Sequence, residues 1–351
     1  MLEDEVVAPH GCAGGILADA DPQGLAASYT FDTSGWAAPG PVAIAFAGTR
    51  LDGTGQPADR FERVERIPDL GPRSGRVTIT ARIQRLEPGR WRVIAGPVQT
   101  DPERPLPRKA IVASTQLALL AQGPGVRLLA WPALVGLGAV VAVLLQALLV
   151  QRAGLPAPTV VGLSVLGGVL GYPGGKLWYL AANRRPPSEF LAAGACIQGF
   201  LLVALLVVSL GSFLLDLSVG VILDATAPGI FFGMAIGRPG CFLTGCCAGR
   251  PTMSRWGLWS SDRRLGIRRV PVQLVEAAVA LLIGLVSLLL VLAVDAPFAG
   301  AIFVGAIAAY TFCRQILFRL RSQSHTRVGR LVTQVLCASI LAALVVAFVI
   351  G

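Results

Sequence analysis

The chain has 351 residues, of which 54% are hydrophobic and only 14% are charged, and its mean hydropathy is +0.66. This composition excludes an ordinary soluble globular protein, and the net charge of +10 favours anionic partners. Two histidines and seven cysteines exclude a histidine-rich metal centre and a disulfide scaffold in a chain of this length.

The distribution of charge divides the chain into two parts. Residues 1–108 hold 14 acids and 12 bases, whereas residues 109–351 hold 6 acids and 18 bases together with the long apolar runs. We therefore expect a mildly acidic soluble domain at 1–108, a linker at 109–127 and a basic membrane domain at 128–350.

The N-terminal domain is predicted to be small, all-β and sandwich-like. Segments 41–48 and 76–86 alternate apolar and polar residues with a period of two, which is typical of half-buried strands. Residues 87–90 predict a turn and residues 91–98 the returning strand. The side chains expected on one buried face are Val77, Ile79, Ala81 and Ile83.

The C-terminal part is predicted to be an all-α polytopic membrane domain. A helix needs about 20 apolar residues to cross the hydrocarbon core of a bilayer. Seven apolar runs reach that length, which predicts about seven transmembrane helices. These runs are 128–150, 158–182, 189–213, 217–236, 271–294, 297–318 and 331–350.

Charged side chains inside or beside these runs are candidates for function, because burying a charge in a membrane is costly. They are Lys176, Glu276 and Arg314, with Arg321 seven residues further on. Seven residues make two helical turns, so Arg314 and Arg321 are expected to share a face. Snorkelling of the side chain toward the membrane interface is the alternative explanation for Lys176.

The segment 237–252, GRPGCFLTGCCAGRPT, follows the fourth apolar run. Its glycines and prolines predict an irregular loop whose backbone N–H groups, beside Arg238, would bind an anion. Cys241, Cys246 and Cys247 have the spacing C-x4-C-C, which is poor for zinc. A disulfide, a metal site and small apolar packing all remain open for these cysteines.

Four motifs in this half of the chain resemble those of the prolipoprotein diacylglyceryl transferase family. Segment 237–252 resembles the family signature G-R-x-G-N-F-x-N-x-E-x-x-G-R-x-T, and VPVQLVEA at 270–277 resembles H-P-x-Q-L-Y-E-A. CRQILFRLR at 313–321 resembles R-F-x-x-E-x-x-R, and TQVLCAS at 333–339 resembles G-Q-x-L-S. The resemblance covers about residues 128–350, so the chain is expected to be a member with an additional N-terminal domain.

The chain departs from the family pattern at several positions. Cys241 and Cys246 stand where the signature has asparagine and glutamate. Gln198 falls at the histidine of the family's His-Gly-Gly motif, and Val270 replaces the histidine of the H-P-x-Q motif. The family's arginine, glutamine and glycine framework is present, whereas its imidazoles and one carboxylate are replaced.

The resemblance implies an enzyme of lipoprotein maturation. It would transfer a diacylglyceryl group from phosphatidylglycerol to the thiol of the lipobox cysteine of a prolipoprotein, within the bacterial cytoplasmic (inner) membrane. No cofactor, metal or nucleic acid is expected, and the partners would be this lipid, the lipobox peptide and membrane lipids. The implied catalytic residues are Arg238, Arg314, Arg321 and Glu276, and the implied substrate-binding residues are Gly237, Gly240, Gly249, Arg250, Gln273, Gln334 and Gln198.

Alternatives to this function stay open at the level of the sequence. A divergent paralogue would handle phospholipid with a different acceptor or without catalysis, and a redox or metal-binding membrane protein would use the three clustered cysteines. The group that activates the acceptor thiol is also open. The arginines would lower the pKa of the thiol, or else Glu276 or Lys176 would act as the base.

The orientation in the membrane is predicted differently by two criteria. With seven spans, residues 183–188, 237–270 and 319–330 lie on the side of the N-terminal domain, and this side is rich in arginine. The positive-inside rule predicts that it is cytoplasmic. The resemblance implies that it faces outward, and we favour the outward orientation because several of these arginines are expected site residues. The arginines that this does not explain are Arg263, Arg264, Arg268 and Arg269.

Overall fold

The protein is described by a computed structural model that covers residues 21–72, 74–190, 193–322 and 326–350. The first twenty residues of the expected β domain lie outside the described residues. The chain forms two compact units. One comprises the described parts of Ile16–Ala130 together with Cys241–Pro271, and the other comprises Trp131–Gly240 and the described parts of Val272–Gly351.

The prediction of seven membrane-spanning helices is confirmed. In the part of the chain that the structure describes, seven helices are long and apolar enough to cross a membrane. They are α1 (Ala130–Arg152), α2 (Ala157–Ala182), α3 (Ile197–Leu214), α4 (Val219–Thr244), α5 (Val272–Ala293), α6 (Ala301–Leu317) and α7 (Arg327–Ile350). The third helix begins later than expected because Pro187–Glu189 forms a short 3-10 turn ahead of it.

The other unit is all-β, as predicted. Its strands are β1 (Gly24–Asp32), β2 (Gly40–Arg50), β3 (Arg60–Leu70), β4 (Arg76–Gln84), β5 (Arg90–Pro97), β6 (Lys109–Ser114), β7 (Leu258–Ser261) and β8 (Leu265–Arg269). They form two four-stranded sheets, ordered β1-β4-β8-β7 and β3-β2-β5-β6. All strand pairings are antiparallel.

The two sheets bury a common apolar core. Val77, Ile79 and Ala81 on β4 have no exposed surface, and Ile83 packs against the same cluster, as the period-two alternation predicts. Trp91 on β5, which is also fully buried, donates its indole N–H to the carbonyl of Glu87 at 3.1 Å. Burial of these side chains supplies the hydrophobic stabilisation of this unit.

Two features of the β unit differ from the expectation. The segments 76–86 and 91–98 were expected to form a hairpin, but β4 pairs with β1 and β5 pairs with β2, so the two strands lie in different sheets. Strand β6 lies in the segment expected as a linker, and it pairs with β5. Alternation along a strand specifies its buried face but does not specify its neighbour.

A hairpin from the chain between α4 and α5 completes one of the sheets. Strand β8 pairs with β4, and the N–H of Thr80 donates to the carbonyl of Arg264 at 2.8 Å. The guanidinium of Arg264 pairs with the buried carboxylate of Glu65 on β3 at 2.6 Å. The β unit is therefore built from two segments that are distant in sequence.

Replacing Ile267 by alanine should destabilise the β unit by about 2–4 kcal/mol, because Ile267 is 2% exposed and lies in the common core. Thermal unfolding of the detergent-solubilised chain, followed by proteolysis of the β unit, measures the effect. Leu258→Ala is the matched control, since Leu258 lies on the partner strand of the same hairpin and is 45% exposed. Equal losses in the two variants would mean that the hairpin does not share the core.

Close helix packing in the membrane unit depends on glycines that repeat every four residues. Gly167, Gly171 and Gly175 lie on one face of α2. A Cβ at any of the three would approach a carbonyl oxygen of α3, or of the residue just before it, to 2.9 Å. Small residues at such positions let the backbones of membrane helices approach each other closely.

Helix α4 extends further than the sequence analysis predicts. The segment 237–244 was expected to be an irregular loop, but it is helical, and the helix contains both Pro228 and Pro239. A proline removes only one backbone donor, and membrane helices tolerate this when neighbouring groups satisfy the remaining polar atoms. The helix ends instead at Gly245, which has a left-handed φ of 76°.

Replacing Asp224 by alanine should destabilise the membrane unit by about 1–2 kcal/mol, because its buried carboxylate caps the start of α6. The carboxylate accepts the N–H groups of Gly300 at 2.7 Å and Phe303 at 2.8 Å. Asp224→Asn retains one acceptor oxygen and should lose less. Unfolding titrations in denaturing detergent compare the variants, and an equal loss for alanine and asparagine would contradict the capping role.

Candidate functional site

A buried carboxylate lies where α4, α5 and the end of α6 meet. Glu276, near the start of α5, has no exposed surface. Arg321 donates through Nη2 to both of its oxygens, at 2.5 and 2.8 Å. Arg238 of α4 pairs with the same carboxylate through Nη1 at 3.1 Å, and its side chain is 13% exposed. Two arginines from different elements thus share one carboxylate.

Tyr310 connects this cluster to a third arginine. Its Oη accepts hydrogen bonds from Nη2 of Arg238 at 3.2 Å and, at a longer 3.5 Å, from Nη1 of Arg314. The sequence analysis missed this residue. The available signal was its position one turn before Arg314 on the same helix, where side chains four residues apart are neighbours.

Arg314 and Arg321 do not share a helical face, because α6 ends at Leu317 and a 3-10 turn, Phe318–Leu320, follows it. Both guanidinium groups instead lie over the ring of Phe318. Their Cζ atoms are 5.2 and 5.3 Å from its centroid. A cation over an aromatic face is attracted to it, so the ring holds both arginines near the end of α6.

Among the described residues, this cluster brings together one carboxylate and three guanidinium groups. These four side chains carry a formal charge of +2. Arginine remains protonated in proteins. In a low-dielectric region this excess favours binding of an anion, and guanidinium groups match the geometry of phosphate oxygens.

The three glutamines expected at the site have different surroundings. Gln273 is 3% exposed and precedes Glu276 by one turn, so the two lie on the same side of α5. Gln334 is half-buried on α7, which packs against α6. Gln198 is exposed on α3. The structure therefore brings Gln273 beside the arginine–carboxylate cluster.

The four expected substrate-binding residues of the signature segment lie in two settings. Gly237 and Gly240 are buried within α4, and the helical backbone there replaces the loop of exposed donors that was expected. Gly249 and Arg250 follow in the β unit. The carbonyl of Gly249 accepts a bond from Arg269 at 3.2 Å, and that of exposed Arg250 accepts the N–H of Val270 at 3.0 Å. Their roles toward a substrate stay predictions.

Lys176 and the clustered cysteines complete the set of residues that the sequence marked. Lys176 is 4% exposed, and its Nζ donates to the carbonyl of Phe190 at 3.0 Å and lies over the rings of Tyr172 and Phe190. The ammonium group is therefore held by contacts within the membrane unit. In the β unit, the sulfur atoms of Cys241, Cys246 and Cys247 all lie within 4.8 Å of one another.

The fold and the cluster define a multi-pass membrane protein with a buried site rich in arginine. The sequence profile of the prolipoprotein diacylglyceryl transferases matches residues 120–350, and the chain belongs to this family. The profile leaves most of the β unit outside the match, in agreement with an additional N-terminal domain.

Relatives of the chain include proteins named phosphatidylglycerol--prolipoprotein diacylglyceryl transferase. The one from Clostridium tetani is 28% identical over 134 residues, which are 36% of this chain and 54% of the relative. One from Dehalococcoides mccartyi is 38% identical over 65 residues, or 18% of this chain and 25% of the relative. The chain thus matches about half the length of the first relative and a quarter of the second.

Proposed function

We propose that the protein transfers a diacylglyceryl group from phosphatidylglycerol to the lipobox cysteine thiol of a prolipoprotein. The observation that carries the proposal is the convergence of three arginines beside Glu276 in a membrane unit, where the anionic head group of a lipid is the natural ligand. Family membership and the names of the relatives support the same substrates.

The reaction develops charge where the arginines lie. The sulfur of the acceptor attacks the glyceryl carbon that carries the phosphate ester, so that a C–S bond forms and the C–O bond breaks. The electron pair of that bond leaves on the phosphate oxygen, and glycerol phosphate departs. We assign stabilisation of this negative charge to Arg238 and Arg314, the two arginines that share the hydroxyl of Tyr310.

Glu276 and Arg321 are assigned a positioning role beside the reacting phosphate. The side chain of Arg321 is 4% exposed, and its guanidinium donates to both carboxylate oxygens of Glu276. The remaining contact of this carboxylate, at 3.1 Å, orients Arg238. A fixed guanidinium stabilises a developing charge better than a mobile one, because no reorganisation is needed during the reaction.

We assign activation of the acceptor thiol to the positive field of the arginines. A thiol pKa of about 8.5 falls when cations lie nearby, and the proton then leaves to solvent before attack. Glu276 is assigned no proton transfer, since both of its oxygens are engaged by arginines. Nζ of Lys176 is likewise engaged with a carbonyl and two rings.

The location proposed is the bacterial cytoplasmic membrane, with the site on the extracytoplasmic face. Three arginines that opposed this orientation have structural contacts: Arg263 with the carbonyl of Thr244, Arg264 with Glu65, and Arg269 with Asp262. They therefore need not act as topological signals. Labelling of Ser34→Cys by an impermeant maleimide, in a background without other cysteines, tests the orientation in intact cells. Protection would place the β unit in the cytoplasm.

The transfer itself is tested with the full chain in vesicles of phosphatidylglycerol and a synthetic lipobox peptide. Mass spectrometry should detect the peptide with a thioether-linked diacylglyceryl group, and glycerol phosphate should appear in equal amount. A peptide in which serine replaces the lipobox cysteine is the control. Retention of bound phosphatidylglycerol without any transfer would favour the divergent paralogue over this proposal.

A further inference from the structure

Three cysteines converge where α4 ends, outside the arginine cluster. Cys241 and Cys246 are 5% and 7% exposed, and Cys247 is half-buried. Their sulfur atoms all lie within 4.8 Å of one another. The proposed transfer does not use these three thiol groups.

The helix terminus accounts for two of the three sulfurs. Gly245 has φ of 76°, its N–H donates to Phe242 at 3.4 Å, and the N–H of Cys246 donates to the carbonyl of Cys241 at 3.0 Å. These are the two bonds of a Schellman motif, in which the side chains at the positions of Cys241 and Cys246 come into contact. The contact between these two cysteines therefore follows from the way the helix ends.

The third sulfur is not explained by that motif. Cys247 has φ of 55°, a left-handed conformation that is unfavourable for any residue with a Cβ. Such residues persist where the surrounding structure determines them, and they concentrate at functional sites. The unfavourable backbone at Cys247 accompanies the approach of its sulfur to the other two.

The surrounding β unit holds the terminus in place. The hydroxyl of Thr244 donates to the carbonyl of Arg127 at 3.0 Å, and Arg263 donates through Nε to the carbonyl of Thr244 at 3.1 Å. A Cβ at Gly245 would lie 2.5 Å from the carbonyl oxygen of Ser261, so the hairpin packs directly on the turn. A rigid terminus gives the three sulfurs fixed positions before any ligand arrives.

We propose that Cys241, Cys246 and Cys247 form a three-thiolate site for a soft metal ion of the Cu(I) type. Metal–sulfur bonds of about 2.3 Å place the sulfur atoms of a trigonal site about 4 Å apart. The three cysteine sulfurs lie within 4.8 Å of one another, which is compatible with that distance. Thiolates select Cu(I) and zinc. The spacing C-x4-C-C, in which two of the cysteines are adjacent, is poor for zinc and favours Cu(I).

Binding converts the three thiols to thiolates and releases three protons to solvent. Three thiolates and one Cu(I) carry a net charge of −2. The guanidinium of Arg263, bound to the carbonyl of Thr244 at the same turn, offsets part of that charge. None of the proposed ligands belongs to the arginine cluster, so metal binding can be measured without the transfer reaction.

Anaerobic titration of the reduced, detergent-solubilised full chain with Cu(I), against a chromophoric Cu(I) chelator, tests the proposal. One ion should bind per chain, and X-ray absorption should count three sulfur neighbours at about 2.3 Å. Cys241→Ser and Cys247→Ser should each weaken binding by more than about 100-fold. A residue that only hydrogen-bonds to a metal ligand contributes less than that. Cys313→Ser and Cys337→Ser are matched controls and should bind normally.

Cys247→Gly keeps the test independent of folding. Glycine suits the left-handed backbone at this position, so the variant should be at least as stable while losing the third sulfur. Two sulfur neighbours in the wild-type chain, normal binding by Cys247→Gly, or no stoichiometric Cu(I) would each overturn the proposal. A disulfide within the trio that persists in chain purified without oxygen would also overturn it.

Discussion

Replacing Arg314 by glutamine should slow diacylglyceryl transfer by about 100-fold to 1,000-fold, the range found when one preorganised donor to a developing negative charge is removed. Arg314 is half-buried at the end of α6, and its only described hydrogen bond, to Tyr310, is a long 3.5 Å. Its guanidinium is therefore more available to a ligand than that of Arg321, which is held by Glu276. Initial rates with phosphatidylglycerol vesicles and a lipobox peptide measure the effect.

The same substitution should change the free energy of unfolding by only about 1 kcal/mol or less, because a long hydrogen bond and one cation–π contact are weak. A large loss of activity with little loss of stability separates a role in the reaction from a role in the fold. Arg319→Gln is the matched control, since Arg319 is an exposed arginine of the same segment. It should leave both the rate and the stability unchanged.

Equal rates for the wild type and Arg314→Gln would remove Arg314 from the proposed site. The transfer proposal would then depend on Arg238 alone, whose substitution is harder to interpret because it also contacts Glu276. Arg314→Lys adds a second comparison. Lysine keeps the charge but loses the planar pair of donors, so an intermediate rate is expected if phosphate geometry matters.

The membrane helices could be predicted from the sequence because their signal is local. A run of about 20 apolar residues is sufficient by itself to indicate a span. The end of α4 could not be placed in this way. Pro239 is a breaker in most helices, yet α4 continues to Thr244, because the surrounding unit stabilises the helix beyond what local propensity indicates.

The β7–β8 hairpin was missed for the opposite reason. Its strands have four and five residues, too short for alternation to be distinctive, and β8 pairs with β4, almost two hundred residues earlier in the chain. Ile267 is one apolar residue among several arginines in the sequence. Its burial becomes evident only once the sheet that it joins is known.

The arginine cluster was largely predictable, because a charge in an apolar run is conspicuous. Glu276, Arg314 and Arg321 were marked for this reason, and Arg238 by the motif that it shares with the family. Tyr310 was not marked, since an aromatic residue in a membrane helix is ordinary. Its importance depends on a distance, the 3.2 Å from Arg238, which no local pattern contains.

Replacing Glu276 by glutamine should destabilise the membrane unit by about 3–5 kcal/mol, because it removes the carboxylate that pairs with buried Arg321 and with Arg238, whose side chain is 13% exposed. Glu276 has no exposed surface, and Arg321 is 3% exposed, so water cannot substitute for the lost charge. The side-chain NH2 group of glutamine would also face the N–H groups of the arginines, and two donors cannot form a hydrogen bond with each other. Unfolding in denaturing detergent, followed by circular dichroism, measures the loss.

Glu189→Gln is the matched control for this prediction. Glu189 forms the same type of ion pair with Arg185 at 2.9 Å, but the side chains of Arg185 and Glu189 are 49% and 41% exposed, so no measurable change is expected. The double variant Glu276→Gln with Arg321→Gln should recover part of the lost stability, because it removes one of the uncompensated charges. If the double variant is less stable than Glu276→Gln alone, Arg321 contributes through packing against Phe318 rather than through the carboxylate, and the positioning role assigned to the pair fails.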